Sequence, residues 1–243
     1  MREEIRQLIR DAPAIHGRTT YPLLFRALEH IAATVVRGDR TIETGAGYST
    51  VVLALAGAEH TCIVPEESEV AAIRAYCERR GVSRDRVTFH VAPSEDILPT
   101  LDPAPLDLAL IDGSHSFPQV FIDWFYLADA LRVGATLIVD DTHLWTARVL
   151  RDFLAAEPSW RLDATFAGRT AVFTKTGDVD LRRNWSRRSY VARRSGLRRM
   201  IATAREIAWM LGDRTGRWIV RDRLSRRLRR RSADVHSSRR PPA

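Results

Sequence analysis

Cysteine and lysine are scarce in this chain. Only two cysteines occur, Cys62 and Cys77, and they form no Cys-x-x-Cys pair, which argues against a disulfide framework or a thiolate zinc site. No apolar run approaches the ~18 residues that a membrane span requires. The opening Met1-Arg2-Glu3-Glu4 lacks the apolar core of a secretory signal, so the expected compartment is the cytoplasm. Lysine is rarer still: Lys175 is the single one, and arginine supplies nearly all the positive charge. Internal repeats and low-complexity stretches are missing between residues 20 and 176.

What remains is an ordinary globular composition, 45% hydrophobic and 28% charged over 243 residues, enough for one main domain with some chain left over. Its net charge of +8 is an average over two unlike parts. From Leu181 onward 20 arginines face four acids (Glu206, Asp213, Asp222, Asp234), a net of +16, which leaves −8 for the first 180 residues. An acidic domain with a basic tail is expected.

Hydrophobic periodicity divides the acidic part into alternating elements. Glu3 to Ile9 predicts a short helix. Tyr21 to Val36 carries Leu24, Ala27, Leu28, Ile31 and Val35 at helical spacing. There follow strand Thr61 to Val64, helix Glu67 to Arg80 ended by Gly81, strand Arg86 to Val91, strand Leu106 to Ile111, helix Phe117 to Leu131, strand Ala135 to Val139 and helix Leu144 to Leu154. This βαβ rhythm is that of a parallel sheet. In the helix from Phe117, the stripe Phe117, Val120, Phe121, Trp124, Leu127 and Leu131 is a face to pack on that sheet. Trp160 to Phe166 and Thr170 to Lys175, split only by Ala167-Gly168-Arg169, predict an antiparallel hairpin.

The most informative stretch is Glu43-Thr44-Gly45-Ala46-Gly47-Tyr48-Ser49-Thr50, between a short β-branched run and the apolar segment Val51 to Leu55. Glycines let a backbone turn sharply and approach a ligand, and the N–H groups of the following helix start face the same crevice. A dinucleotide fingerprint would place a third glycine where Thr50 stands. With Glu43 before the Gly-x-Gly turn, the stretch resembles motif I of class I S-adenosylmethionine (SAM) dependent methyltransferases. That resemblance covers roughly residues 20 to 176. It implies an α/β fold, a Rossmann-like doubly wound sheet, mostly parallel with a terminal antiparallel hairpin and helices on both faces, followed here by a basic helical extension. It divides the chain into N-terminal helices (1–38), a SAM-binding methyltransferase domain (39–176) and an arginine-rich helical tail (177–243) whose end is expected to be disordered. Glu43, Thr44, Gly45, Ala46, Gly47, Ser49 and Thr50 are then the expected cofactor residues of the first turn.

In a doubly wound sheet, ligands bind beyond the carboxyl ends of the strands. After the second strand stands Glu66, with Glu67 as its alternative, where a carboxylate accepts the hydrogen bonds of a ribose diol. After the third come Ser94 and Glu95, at the position that lies beside the adenine in the family; Ser94 equally suits a helix N-cap. Asp112-Gly113-Ser114-His115 follows the fourth strand, and Asp140-Asp141-Thr142-His143 the fifth. Asp112 counts among both the cofactor residues and the catalytic ones. Asp112, Asp140 and Asp141 form an oxygen-donor set suited to Mg²⁺, which would lower the pKa of a substrate hydroxyl. The same aspartates also suit a turn after Asp112 and a helix cap at Asp141 or Thr142. The pattern resembles cation-dependent small-molecule O-methyltransferases, in particular the bacterial Asp-Gly-x-His group. His115 is the candidate general base, since an imidazole with a pKa near ~6.5 accepts a proton at neutral pH, and His143 is its rival.

Leu197, Met200, Ile201, Ala204, Ile207, Ala208 and Leu211 line one face of a basic helix in the tail. It is suited to packing on the domain, to homo-oligomer formation, to an anionic membrane or to nucleic acid phosphates. Trp218 to Leu228 predicts a second segment, and Ser232 to Ala243 looks disordered. The resemblance favours methyl transfer to a hydroxyl of a small-molecule acceptor, a natural product or sugar derivative. The alternatives are an RNA-directed methyltransferase using the tail, and a non-catalytic SAM-binding or membrane-peripheral interaction protein. No motif marks the acceptor side, which is expected to lie among the N-terminal helices and the tail.

Overall fold

The computed structural model describes residues 1–11, 25–101, 105–181 and 184–211. The chain divides into two compact units, Met1–Tyr190 and Val191–Ala243. The first holds helices α1 (Arg2–Arg10), α2 (Phe25–Thr34), α3 (Tyr48–Ala56), α4 (Glu67–Arg80), α5 (Ser94–Ile97), α6 (Gln119–Ala130) and α7 (Trp145–Ala156). Among them run strands β1 (Arg40–Thr44), β2 (Glu59–Val64), β3 (Val87–Val91), β4 (Leu106–Ile111), β5 (Leu131–Val139), β6 (Trp160–Phe166) and β7 (Thr170–Lys175). Helix α8 (Ser189–Leu211) begins at the end of this unit and runs into the second.

Seven strands form one sheet in the order β3-β2-β1-β4-β5-β7-β6. The first five are parallel; β7 joins β5 antiparallel, and β6 joins β7 antiparallel, as the short Ala167-Gly168-Arg169 link demands. β1 and β4 are neighbours although β2 and β3 lie between them in the chain, so the winding reverses there, and this switch point is where such sheets bind ligands. Alternation along the strands builds a core on each face. One joins Leu108, Leu110 and Ile138 to α3 and α4, and the other joins Ala109, Ile111 and Val139 to Val120, Trp124 and Leu127 of α6.

Ile5 and Leu8 of α1 and Leu28 and Ile31 of α2 are buried in the same core as residues of α3. Tyr21 to Leu24 of the expected second helix lie outside the described residues. Gly81 ends α4 in the left-handed region at φ 64°, a conformation glycine adopts without a Cβ penalty. α6 starts at Gln119 rather than Phe117, and Phe117 stays exposed. β5 is longer than expected and takes in Leu131, which the sequence pattern assigned to the preceding helix. Lys175 ends β7 buried, its Nζ donating to the carbonyls of Ala128, at 2.8 Å, and Leu131, where α6 ends. Burial pulls that ammonium pKa down, although Asp129 and Asp178 partly oppose it.

The second unit is described only to Leu211. There α8 leaves Leu197, Met200, Ile201 and Ile207 exposed, the apolar face expected from the sequence. The expected segment Trp218 to Leu228 and the end from Ser232 fall outside the described residues. Among the described residues, no helix is long and apolar enough to cross a membrane.

Candidate functional site

β1, β4 and β5 end side by side, and backbone bonds extend their ladder past the strands: Gly45 N–H donates to Ile63 O, Asp112 N–H to Thr44 O and Asp140 N–H to Ile111 O. This brings three predicted motifs to one edge. The turns interlock at Gly45, which sits at φ 93°, where a Cβ would lie 2.3 Å from the Asp112 carbonyl oxygen. Glycine at this position is thus demanded by backbone against backbone.

The motif residues separate into two layers. Glu43, Thr44, Ser49 and Thr50 are buried, whereas Gly45 and Ala46 stay partly accessible at the bend and Gly47 is the N-cap of α3. The Thr50 hydroxyl accepts the Gly47 N–H at 2.9 Å and donates to Glu43 Oε1. Expected as a cofactor contact, Thr50 instead closes the helix start and holds the acid. On the other side of Glu43, His60 Nε2 lies 3.0 Å from the same oxygen, and its Nδ1 lies 2.9 Å from the Thr41 hydroxyl. Parallel pairing aligns Thr41 with His60 and Glu43 with Cys62, so all four project from one face of β1 and β2. Among the described residues, Glu43 Oε2 has no hydrogen-bond partner though it is buried, a state that native structures seldom leave unexplained.

Glu66 is exposed at the N-cap of α4, just beyond the end of β2, and makes no side-chain cap bond. Ser94 does not cap α5, whose N-cap is Pro93. Its hydroxyl donates to Asp123 Oδ1 at 2.7 Å, while the Gln119 amide donates to Ser94, at 2.9 Å, and to Glu95, at 2.8 Å. Burial raises the Asp123 pKa against the bonds from Ser94, Thr44 and Gln119.

Asp112 sits among acids. Its burial raises its carboxyl pKa well above the usual range, and the charges of Asp140, Glu43 and Asp141 add to the rise. Asp140 is fully buried and takes the Thr170 hydroxyl on Oδ1 and Arg169 Nη2 on Oδ2 at 3.4 Å. Asp141 faces His115 Nε2 through Oδ2 at 3.0 Å and Arg169 Nε through Oδ1 at 2.7 Å. Burial works to raise the Asp141 pKa, yet His115, Arg169 and His143 outweigh it and the net shift is downward. Its φ of 51° is left-handed, a region aspartate tolerates better than most residues. Neither Asp141 nor Thr142 caps α7; Leu144 is at the N-cap, and the Thr142 hydroxyl donates to the carbonyls of Gly168 and Arg169.

An ionised Asp141 can only accept, which places a proton on His115 Nε2. Nδ1 of that ring is buried with no hydrogen-bond partner among the described residues. His143 is the more exposed histidine, its Nδ1 3.7 Å from Asp141. The geometry therefore separates the two candidate bases: His115 is oriented, and His143 lies on the rim.

The donor set does not fit the magnesium expected from the sequence. All four oxygens of Asp140 and Asp141 already face the Arg169 guanidinium, the Thr170 hydroxyl or His115. Mg²⁺ would have to displace them to reach its near-ideal octahedral shell. Among the described residues, Glu43, His60 and Cys62 hold possible ligand atoms within 4.8 Å of one another. Glu43 and His60 bond to each other, and burial, reinforced by the Glu43 charge, pushes the Cys62 thiol far above its ordinary pKa. That trio is a hydrogen-bonded core. His60, Gln119, Asp123 and Arg169 were not singled out from the sequence; the one available signal was Asp123, an acid on the apolar face of α6.

Residues 42–142 match the family model described as "Methyltransferase domain". A catechol O-methyltransferase of Mycobacterium tuberculosis is 34% identical over 118 residues, 46% of this chain and 51% of that protein. The chain thus spans about half the length of the curated relative it matches. The O-methyltransferase of tomaymycin synthesis from Streptomyces achromogenes, solved with SAM, has a TM-score of 0.58 at 22% identity, covering 70% of this chain and 89% of that one. A Bacillus cereus O-methyltransferase in complex with SAH has a TM-score of 0.55 at 19% identity, covering 72% and 90%. At those identities the solved structures speak for the fold. Residues 42–142 of this chain are accordingly similar to the methyltransferase domain family, on the fold shared with those solved O-methyltransferases.

Proposed function

We propose that this chain transfers a methyl group from SAM to a hydroxyl of a small-molecule acceptor, with His115 as the general base. The observation that carries the reading is the buried, unpartnered His115 Nδ1 at the edge formed by β1, β4 and β5. When bound, SAM supplies a methyl group already activated on a sulfonium. Gly45 and Ala46 offer their backbone and Glu43 its carboxylate to the methionine part, Glu66 serves the ribose and Ser94 with Glu95 the adenine side. The excess of carboxylates at this edge suits a cationic cofactor. His115 Nδ1 takes the acceptor's hydroxyl proton, while Asp141 keeps the ring in its tautomer and stabilises the imidazolium that forms. Asp112 lies 4.0 Å from His115 Nε2 and adds to that stabilisation whenever it is ionised. His143 serves the rim of the acceptor side.

The names of the Mycobacterium and Streptomyces proteins support an oxygen acceptor on a small molecule. Two free cysteines support a cytoplasmic setting, and the exposed apolar face of α8 supports self-association.

Calorimetric titration of SAM and SAH tests the cofactor, with Glu66→Ala expected to weaken both. Catechol and other hydroxyl acceptors, followed by mass spectrometry of the product, test the transfer. Absence of SAM and SAH binding would overturn the reading, as would methylation found only on RNA.

A further inference from the structure

The turn between β6 and β7 is built onto the loop after β5. Thr142 N–H donates to Arg169 O at 2.7 Å, its hydroxyl donates to Gly168 O and Arg169 O, and Thr170 bonds back to Asp140. Ala167 and Gly168 are both in the left-handed region, at φ 50° and 65°, so the chain reverses tightly enough to aim Arg169 at the two aspartates. The Arg169 side chain is only 17% exposed, with Nη2 donating to Asp140 Oδ2 at 3.4 Å and Nε in an ion pair with Asp141 Oδ1 at 2.7 Å. Asp140 is completely buried, and a buried carboxylate without a countercharge is strongly disfavoured.

We propose that Arg169 is the resident cation of the Asp140–Asp141 pair, occupying the place a divalent metal would need, so that the site works without one. The guanidinium supplies one fixed positive charge and planar donors suited to carboxylates. It holds Asp141, and through Asp141 it holds His115. Arg169 is thus a positioning residue. The carboxylate pair that suggests a metal enzyme in the sequence is satisfied from a turn some thirty residues later. Only the catalytic consequence rests on the methyl-transfer reading; the competition between Arg169 and a cation does not.

The test uses the full chain and Mn²⁺ as the probe, followed by electron paramagnetic resonance, with SAH titrated into the same samples. Wild type should bind no Mn²⁺ at this pair. Arg169→Gln and Arg169→Ala should each gain one Mn²⁺ by roughly tenfold or more in affinity, since a unit charge has left a low-dielectric site, and adding Asp141→Asn should remove it. Circular dichroism and thermal melting of the less disruptive Arg169→Gln show whether the fold survives. Stoichiometric Mn²⁺ binding by wild type that is lost in Asp141→Asn would overturn the proposal. Folded variants that gain no Mn²⁺ would also overturn it, because the aspartates would then make no cation site for Arg169 to fill. Absent SAH binding would count against the methyltransferase reading and leave the Mn²⁺ comparison standing.

Discussion

Neighbouring strands solve the same problem in different ways. Glu43 at the end of β1 is buried against the Thr50 hydroxyl from α3, next in the chain, and the His60 imidazole from β2, next in the sheet. Asp140 and Asp141 at the end of β5 are held instead by the guanidinium of Arg169 and by His115, from the hairpin turn and from the loop after β4. Among the described residues, the first arrangement leaves Glu43 Oε2 without a hydrogen bond, and in the second Asp141 Oδ1 also lacks one but is met by the Arg169 charge at 2.7 Å. A carboxylate with no countercharge beside it is suited to receive a cationic ligand, and one paired with a guanidinium is suited to orient a neighbour. On the proposed reading, the β1 side would bind and the β5 side would position the base.

The largest expected effect comes from breaking the β5 side at its output. His115→Ala should lower methyl transfer by about 10³-fold, within the range for a general base, while SAH affinity stays within about threefold, well below the 1.4 kcal/mol of a tenfold change. Equal losses in rate and SAH binding would move His115 to the binding side. Gly45→Ala attacks the seam between the two regions. Its Cβ would strike the Asp112 carbonyl at 2.3 Å from a left-handed backbone, and denaturant unfolding should show a loss of about 3 kcal/mol. A loss under about 0.5 kcal/mol, the usual surface value, would mean that the turns are not interlocked.

Thr50→Val removes the hydroxyl that holds Glu43 without changing side-chain volume much. Stability should fall by about 2 kcal/mol, as for a lost bond to a buried charged group, and SAH binding should weaken with it. Unchanged SAH affinity would separate Glu43 from the cofactor.

Lys175 sharpens the contrast from a third direction, because its charge is met by backbone carbonyls alone among its hydrogen bonds. Its folded pKa lies below the ordinary 10.5, so the native state holds fewer protons than the unfolded chain in the window between the two values. Stability contributed by this group therefore rises with pH across that window. Lys175→Met should flatten the rise, and an unchanged pH profile would show that burial does not strain the charge.

Much of this was legible because the signals are local. Gly81 closes α4 where the periodicity stops, and the short Ala167-Gly168-Arg169 link permits only a hairpin. The stop of the α6 pattern was harder, since Leu131 is apolar enough for either element and the strand wins by pairing with Leu106. In the site, His115 and the aspartates were visible as residues following strands. Arg169 was not, because a lone arginine in a turn has no pattern until the fold brings it to a loop nearly thirty positions earlier. His60 was hidden similarly: its alternation marks a buried strand position, and only the parallel register with Thr41 reveals its partners. Asp123 interrupts the stripe of Val120, Trp124 and Leu127, which identifies a buried acid but not its link to Ser94.

The solitary lysine at the end of β7 gives the molecule an unusual chemical handle. Its side chain is the chain's one ε-amine, and in the folded protein it is 4% exposed. Acylating reagents should leave it untouched until the hairpin separates from the end of α6. The mass added at Lys175 then counts openings at that corner, one label per event, without the overlapping signals of surface lysines.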